Sequence, residues 1–165
     1  MLEILEWLET TPIAMVVRES DWGFHYVVGT HIMGLAFAVG TLVWIDLRLM
    51  GVVMTSCPAA ILQRRLLPWS LFGFAVMFAS GIALFIGFAT RAVGNTFFWL
   101  KMLALLLAAV NALVYHRITE RRIAQWDGAP PPGMARMAGI TSLLLWAIVI
   151  LCGRMMSYTM FSAAG

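Results

Sequence analysis

The residues of this chain that could do chemistry are few, and they sit in strongly apolar surroundings. His25 and His31 lie near the start of a stretch, Trp22 to Met50, whose apolar run covers Val27 to Ile45; Asp46 and Arg48 lie at its end. Lys101, the single lysine, stands near the start of a later apolar run that ends with Asn111 and His116. Arg154 and Tyr158, one helical turn apart, fall near the end of the last run. A neutral imidazole and a deprotonated amine both offer a nitrogen lone pair, and a guanidinium pairs with carboxylates. Ionisable groups at membrane depth are costly, so they mark a site by default.

The elements that must position these residues are membrane spans. Of 165 residues, 62% are hydrophobic and only 12% charged, against about 25% charged in soluble domains. Mean hydropathy is +0.89. The expected fold is all-α: an antiparallel bundle of four transmembrane helices, about 24–49, 66–89, 97–116 and 137–160, forming one domain over 1–165. Each run approaches the ~20 residues that cross a ~30 Å hydrocarbon core. The net charge of +3 is read as topology and headgroup contact, not nucleic-acid binding. Cys57 and Cys152 fall in different environments, a connection and a span, which argues against a disulfide.

Before the first span, residues 1–21 alternate Leu2, Leu5 and Leu8 with Glu3, Glu6 and Glu9. Thr11 followed by Pro12 reads as a helix start. One or two short interfacial helices are expected here, and the acidic opening lacks the basic region of a cleavable signal peptide. Cys57-Pro58 breaks the chain after the first span, Gln63-Arg64-Arg65 forms a basic edge, and Pro130-Pro131-Pro132 interrupts the longest connection. Gly73, Ser80, Gly81 and Gly87 give the second span small faces for close packing or self-association.

Antiparallel helices turn sequence position into depth. His25, His31, Lys101, Arg154 and Tyr158 then share one end of the bundle, and Asp46, Arg48, Asn111 and His116 the other. A His31–His116 pair of iron ligands is rejected, because their depths differ by roughly 15 Å or more at 1.5 Å per residue. His25 and His31 point about 240° apart on one helix. His31 continues a small stripe, Gly34, Ala38 and Thr41, and is the histidine expected to face inward. Lys101 and Arg154 have a bland alternative, snorkelling to the surface on long stems. Asp46, Arg48, Asn111 and His116 are expected to form a structural polar network. The twelve methionines are read mainly as packing, with Met155, Met156 and Met160 a weak hint of copper.

The run His31-x-x-Gly34, Gly40 and Asp46-Leu47-Arg48-Leu49, then Phe98-Trp99-Leu100-Lys101, then Asn111 and His116, resembles an uncharacterised family of small bacterial four-span membrane proteins. The resemblance covers nearly the whole chain, including Gly153-Arg154. More distantly, a His in span one with a Lys early in span three is similar to the four-helix membrane protoporphyrinogen oxidases, and the span pattern to copper-resistance D membrane domains. The oxidase resemblance implies haem b on His31 and Lys101; Arg154 is then expected to pair with a haem propionate, with Tyr158 counted in the same cofactor site. The leading expectation is therefore a haem-binding electron-transfer protein of the bacterial inner membrane, working with the bilayer and a periplasmic or membrane redox partner. The alternatives are a non-catalytic subunit that docks a periplasmic partner, and copper handling through His25, His31 and methionines.

Orientation follows from arginine placement. Arg48, Arg64, Arg65, Arg117, Arg121, Arg122 and Arg136 flank the connections after spans one and three, whereas the N-terminal segment and the connection after span two carry only Arg18 and Arg91. The positive-inside rule puts those two connections in the cytoplasm and both termini in the periplasm. Reporter fusions after Arg65 and at the C-terminus are expected to read cytoplasmic and periplasmic respectively; the reverse pattern would discard this orientation.

Overall fold

The structure, a computed structural model, describes residues 2–119 and 130–162. Arg121 and Arg122 lie outside the described residues. The described residues are helical apart from short connections, with no strand among them. Two short helices, α1 (Leu2–Glu9) and α2 (Pro12–Glu19), precede the long α3 (Gly23–Met50) and α4 (Ala59–Gly87). A single turn and a half, α5 (Ala89–Val93), leads into α6 (Thr96–Val114), which widens into a π-helical turn at Tyr115–Thr119. The last helix, α7, is Gly133–Ser162.

Four helices are long and apolar enough to cross a membrane: Gly23–Met50, Ala59–Gly87, Thr96–Ile118 and Gly133–Met160. Their apolar residues are mostly not buried against one another. Met33, Phe37, Trp44, Leu106, Leu113, Leu144 and Leu151 are all exposed on the bundle surface. A soluble monomer does not carry apolar patches on that scale, whereas hydrocarbon solvates them. This is a multi-pass membrane protein built as a helical bundle.

Local signals set several boundaries. Thr11 caps α2 by accepting from the Ala14 amide at 3.4 Å, with Pro12 at the first helical position. Gly51 ends α3 in the left-handed conformation, φ 78°, and its amide bonds the Arg48 carbonyl at 3.0 Å, a conformation that favours glycine. Asn95 caps α6 through the Phe97 amide at 2.9 Å. One expected boundary shifts. The second long helix begins at Ala59 and not near Leu66, because Gln63-Arg64-Arg65 continues the helix with both arginines exposed.

The closest packing joins α3 to α4. A Cβ built on Gly34 would lie 2.8 Å from the Met77 amide nitrogen, and one on Gly73 would lie 2.8 Å from the Gly34 carbonyl and closer still to the Ala38 nitrogen. The two backbones therefore touch. Ser70, fully buried, donates to the Ala38 carbonyl across the same seam at 3.0 Å. The other helices close around a cluster of Met77, Ala104, Trp146 and Val149, with Phe74 against Trp146 at 5.2 Å between ring centroids. α7 crosses α3 where Gly139 meets the Asp46 carbonyl, a Cβ there falling 2.7 Å from that oxygen.

The short N-terminal helices fold back onto one end of this bundle. Val17 of α2 is buried against Gly87. Glu9, at the end of α1, accepts from both the Thr90 amide (2.8 Å) and the Thr90 hydroxyl (2.6 Å) at the start of α5. Its other oxygen pairs with Arg18 at 3.3 Å. A carboxylate on free amides at a helix start is favourable both as a hydrogen bond and against the helix dipole.

Alanine normally gains up to ~1 kcal/mol over glycine in a helix interior. At Gly73 the added methyl must enter the Ala38 backbone, and overpacking of this kind costs about 1–3 kcal/mol. Thermal unfolding in detergent should show Gly73→Ala destabilised and Gly29→Ala, where a Cβ meets nothing within 4 Å, neutral or stabilised. Equal effects would argue against the backbone contact.

Candidate functional site

His31 leaves α3 on the side that faces α4. Its Nδ1 lies 3.1 Å from the Ser80 Oγ, and a Cβ on Gly81 would lie 3.1 Å from its Cε1. Glycine at 81 therefore leaves the ring its place. The Ser80 hydroxyl carries one proton, and that proton is committed to α4's own backbone, at 2.6 Å from the Val76 carbonyl and 3.2 Å from that of Met77. Toward His31 the serine can then only accept. The hydrogen-bond network thus assigns the proton of the neutral imidazole to Nδ1 and leaves the Nε2 lone pair free. A ring held through one nitrogen with the other available is the arrangement by which proteins orient histidine ligands.

Lys101 is half-buried in α6 and extends toward α7, where a Cβ on Gly153 would lie 3.9 Å from its Nζ. It is near enough to His31 for its charge to act on the ring, and Cys152, buried in α7, is within electrostatic reach of the amine. Three helices other than α4 (α3, α6 and α7) thus deliver His31, Lys101 and Cys152 to one layer, and α4 supplies Ser80. Sequence reasoning singled out His31 and Lys101. It treated Ser80 as a small packing residue and Cys152 as a bystander, since nothing in their spacing sets them apart.

Arg154 and Tyr158 stand one turn further on, both exposed. The Arg154 Nη2 is 3.3 Å from the Tyr158 Oη and the guanidinium lies 4.9 Å from the ring centroid. They engage each other on the surface, beside the layer and not inside it. His25 belongs to a different face. It lines an open groove of about 400 Å³ between α3 and α4, together with Tyr26, Thr30, Met33 and Phe72. Among the described residues no group of three or more His, Cys, Asp or Glu side chains could hold a metal ion.

The second polar set lies at the opposite end. Asp46 and Arg48 are buried, 4% and 3% exposed, yet they do not pair with each other. The Asp46 carboxyl is hydrogen-bonded to Ser142 of α7, and the Arg48 Nε donates to the Cys57 carbonyl at 2.8 Å. Asn111 donates to the Ala138 carbonyl at 3.0 Å, joining α6 to α7. His116 is exposed on the π-helical turn. Shared depth therefore does not make these four one network. Asp46 and Arg48, two residues apart, point about 200° apart around the helix and reach different neighbours.

With this geometry in place, comparison with known proteins gives one positive finding. A family model described as "family of unknown function (DUF6644)" matches residues 4–159. The chain belongs to that family. The match takes in both polar layers and all of the four long helices but the last residues of α7. No curated protein and no solved structure matches the chain.

The tautomer assignment has a direct check. Nitrogen NMR of histidine-labelled protein should show His31 as the Nδ1–H form, and Ser80→Ala should lose that preference while lowering stability by about 1–3 kcal/mol for the stranded donor. A His31 signal unchanged in Ser80→Ala would transfer the proton's acceptor to another group, such as the Met77 carbonyl.

Proposed function

We propose that the protein is a b-type haem carrier of the bacterial inner membrane that passes electrons near the periplasmic face, with both termini on that side. The observation that carries this reading is the His31–Ser80 contact. It leaves a neutral imidazole nitrogen available in an apolar layer that also holds the only lysine of the chain. His31 and Lys101 form a donor set suited to haem iron, since both are nitrogen ligands once the amine is deprotonated. Phe74, Trp146 and Val149 supply apolar surroundings. Haem bound there would supply reversible one-electron chemistry. The chain's own part would be to orient His31 through Ser80 and keep the layer dry. Arg154 would pair with a propionate in exchange for Tyr158.

A non-catalytic subunit is the reading that stands second, and one observation favours it. Leu2, Ile4 and Trp7 of α1 are 63–68% exposed while the Glu9 clasp holds that helix in place, presenting a fixed apolar and acidic edge to a periplasmic partner. Copper handling has less behind it, because His25 and His31 lie on different faces of α3.

Absorption spectra of wild type, His31→Ala and Lys101→Arg, purified in detergent after growth with sufficient iron, separate these readings. Wild type is expected to show a Soret band with reducible α and β bands, His31→Ala to lose it, and Lys101→Arg to alter it. Guanidinium stays protonated and gives iron no lone pair, whereas it snorkels as well as an ammonium does. A wild type without a Soret band would leave the docking subunit; a band untouched in His31→Ala would keep haem and reject the ligand.

A further inference from the structure

The inner polar set holds a buried group that the haem reading does not use. Asp46 is 4% exposed, and of its two carboxyl oxygens Oδ2 is fully buried with no hydrogen-bond partner, the only such side-chain atom among the described residues. Its carboxyl is held by one neighbour, Ser142, itself 8% exposed. The crossing that creates this environment is tight, since Gly139 sits directly on the Asp46 carbonyl.

Among the described residues no cation pairs with it. On its own helix, Arg48 is turned to the Cys57 carbonyl. From α7, Arg136 is exposed and Ser142 is the group that reaches it; from α4, Arg64 and Arg65 are exposed. From the π-helical turn, Tyr115 is directed at Gln63, 3.5 Å away, and His116 and Arg117 are exposed. The one ion pair among the described residues, Glu9 with Arg18, is at the other end of the molecule. An ionised carboxylate has about four acceptor positions to fill, and one buried in apolar surroundings without a counter-charge neutralises by taking up a proton.

We infer that Asp46 is a proton-binding site: a carboxylic acid, held by Ser142 at the arginine-rich end of the bundle, that carries an exchangeable proton inside the membrane-spanning region. The ligand is the proton itself, bound at a carboxyl oxygen and released again as the carboxylate forms. The site is independent of the outer layer. His31 and Asp46 are 15 residues apart on one continuous helix, a separation of roughly 22 Å at 1.5 Å per residue. The inference therefore stands whether or not haem is bound.

Infrared spectroscopy of the purified protein reads this directly, through the carbonyl stretch that a protonated carboxyl shows and a carboxylate lacks. At neutral pH a protonated-carboxyl band is expected in wild type. It should shift on labelling aspartate with carbon-13, move again on transfer to D2O, and vanish in Asp46→Asn. Asparagine is the isosteric neutral replacement, so this variant is expected to fold with wild-type yield. Should it fail to fold, Ser142→Ala keeps the test, because loss of the hydrogen bond must displace the same band. Absence of the band in wild type, its persistence in Asp46→Asn, or its failure to respond to D2O would each overturn the inference.

Discussion

Gly34 and Gly73 bring two helix backbones into contact, and the remaining architecture is set by that contact. With hydrocarbon outside the bundle there is no hydrophobic drive to press helices together, so close packing and polar bonds across the seam must do it. Removing two side chains lets α3 and α4 approach until Ser70 can reach the Ala38 carbonyl. The same approach sets the angle at which His31, one turn before Gly34, meets Ser80, two turns after Gly73. Packing and candidate chemistry therefore share one surface: a change in the helix spacing at the seam changes the environment of the histidine.

Polar groups are treated differently at the two ends. At the end that holds the N-terminal helices, His31 is oriented by Ser80 and Glu9 by Thr90. At the arginine-rich end Arg48 and Asn111 are turned to backbone carbonyls. Bonds of that kind fix where connections and helices sit without requiring another side chain to be present. Asp46 departs from the pattern, and the departure is what makes it chemically informative.

Much of this was legible in the sequence. Hydropathy runs separated by breakers located four long helices, Thr11-Pro12 marked the start of α2, and the stripe Gly34–Ala38 marked a packing face. The start of α4 was missed because an Arg-rich segment can continue a helix as readily as it can end one, provided the heads reach the surface. Depth was recoverable from position along antiparallel helices, which is why His31 and Lys101 could be grouped correctly in one layer. Azimuth was not. Asp46 and Arg48 share a depth but face different neighbours, and only packing decides that. Ser80, Ser142 and Cys152 gave no signal, since serine and cysteine are ordinary constituents of membrane helices until a tertiary contact gives them a task.

The clasp between Glu9 and Thr90 joins parts of the chain 81 residues apart. During synthesis α3 and α4 emerge one after the other and can settle as a pair, while Glu9 has no acceptor-seeking amide to meet until the second long helix is complete. Helix α2 can already pack on Gly87 at the end of α4, whereas α1 gains its anchor only when Thr90 appears. The clasp thus closes on a helical pair that is already complete, and it can do so before α6 and α7 are made.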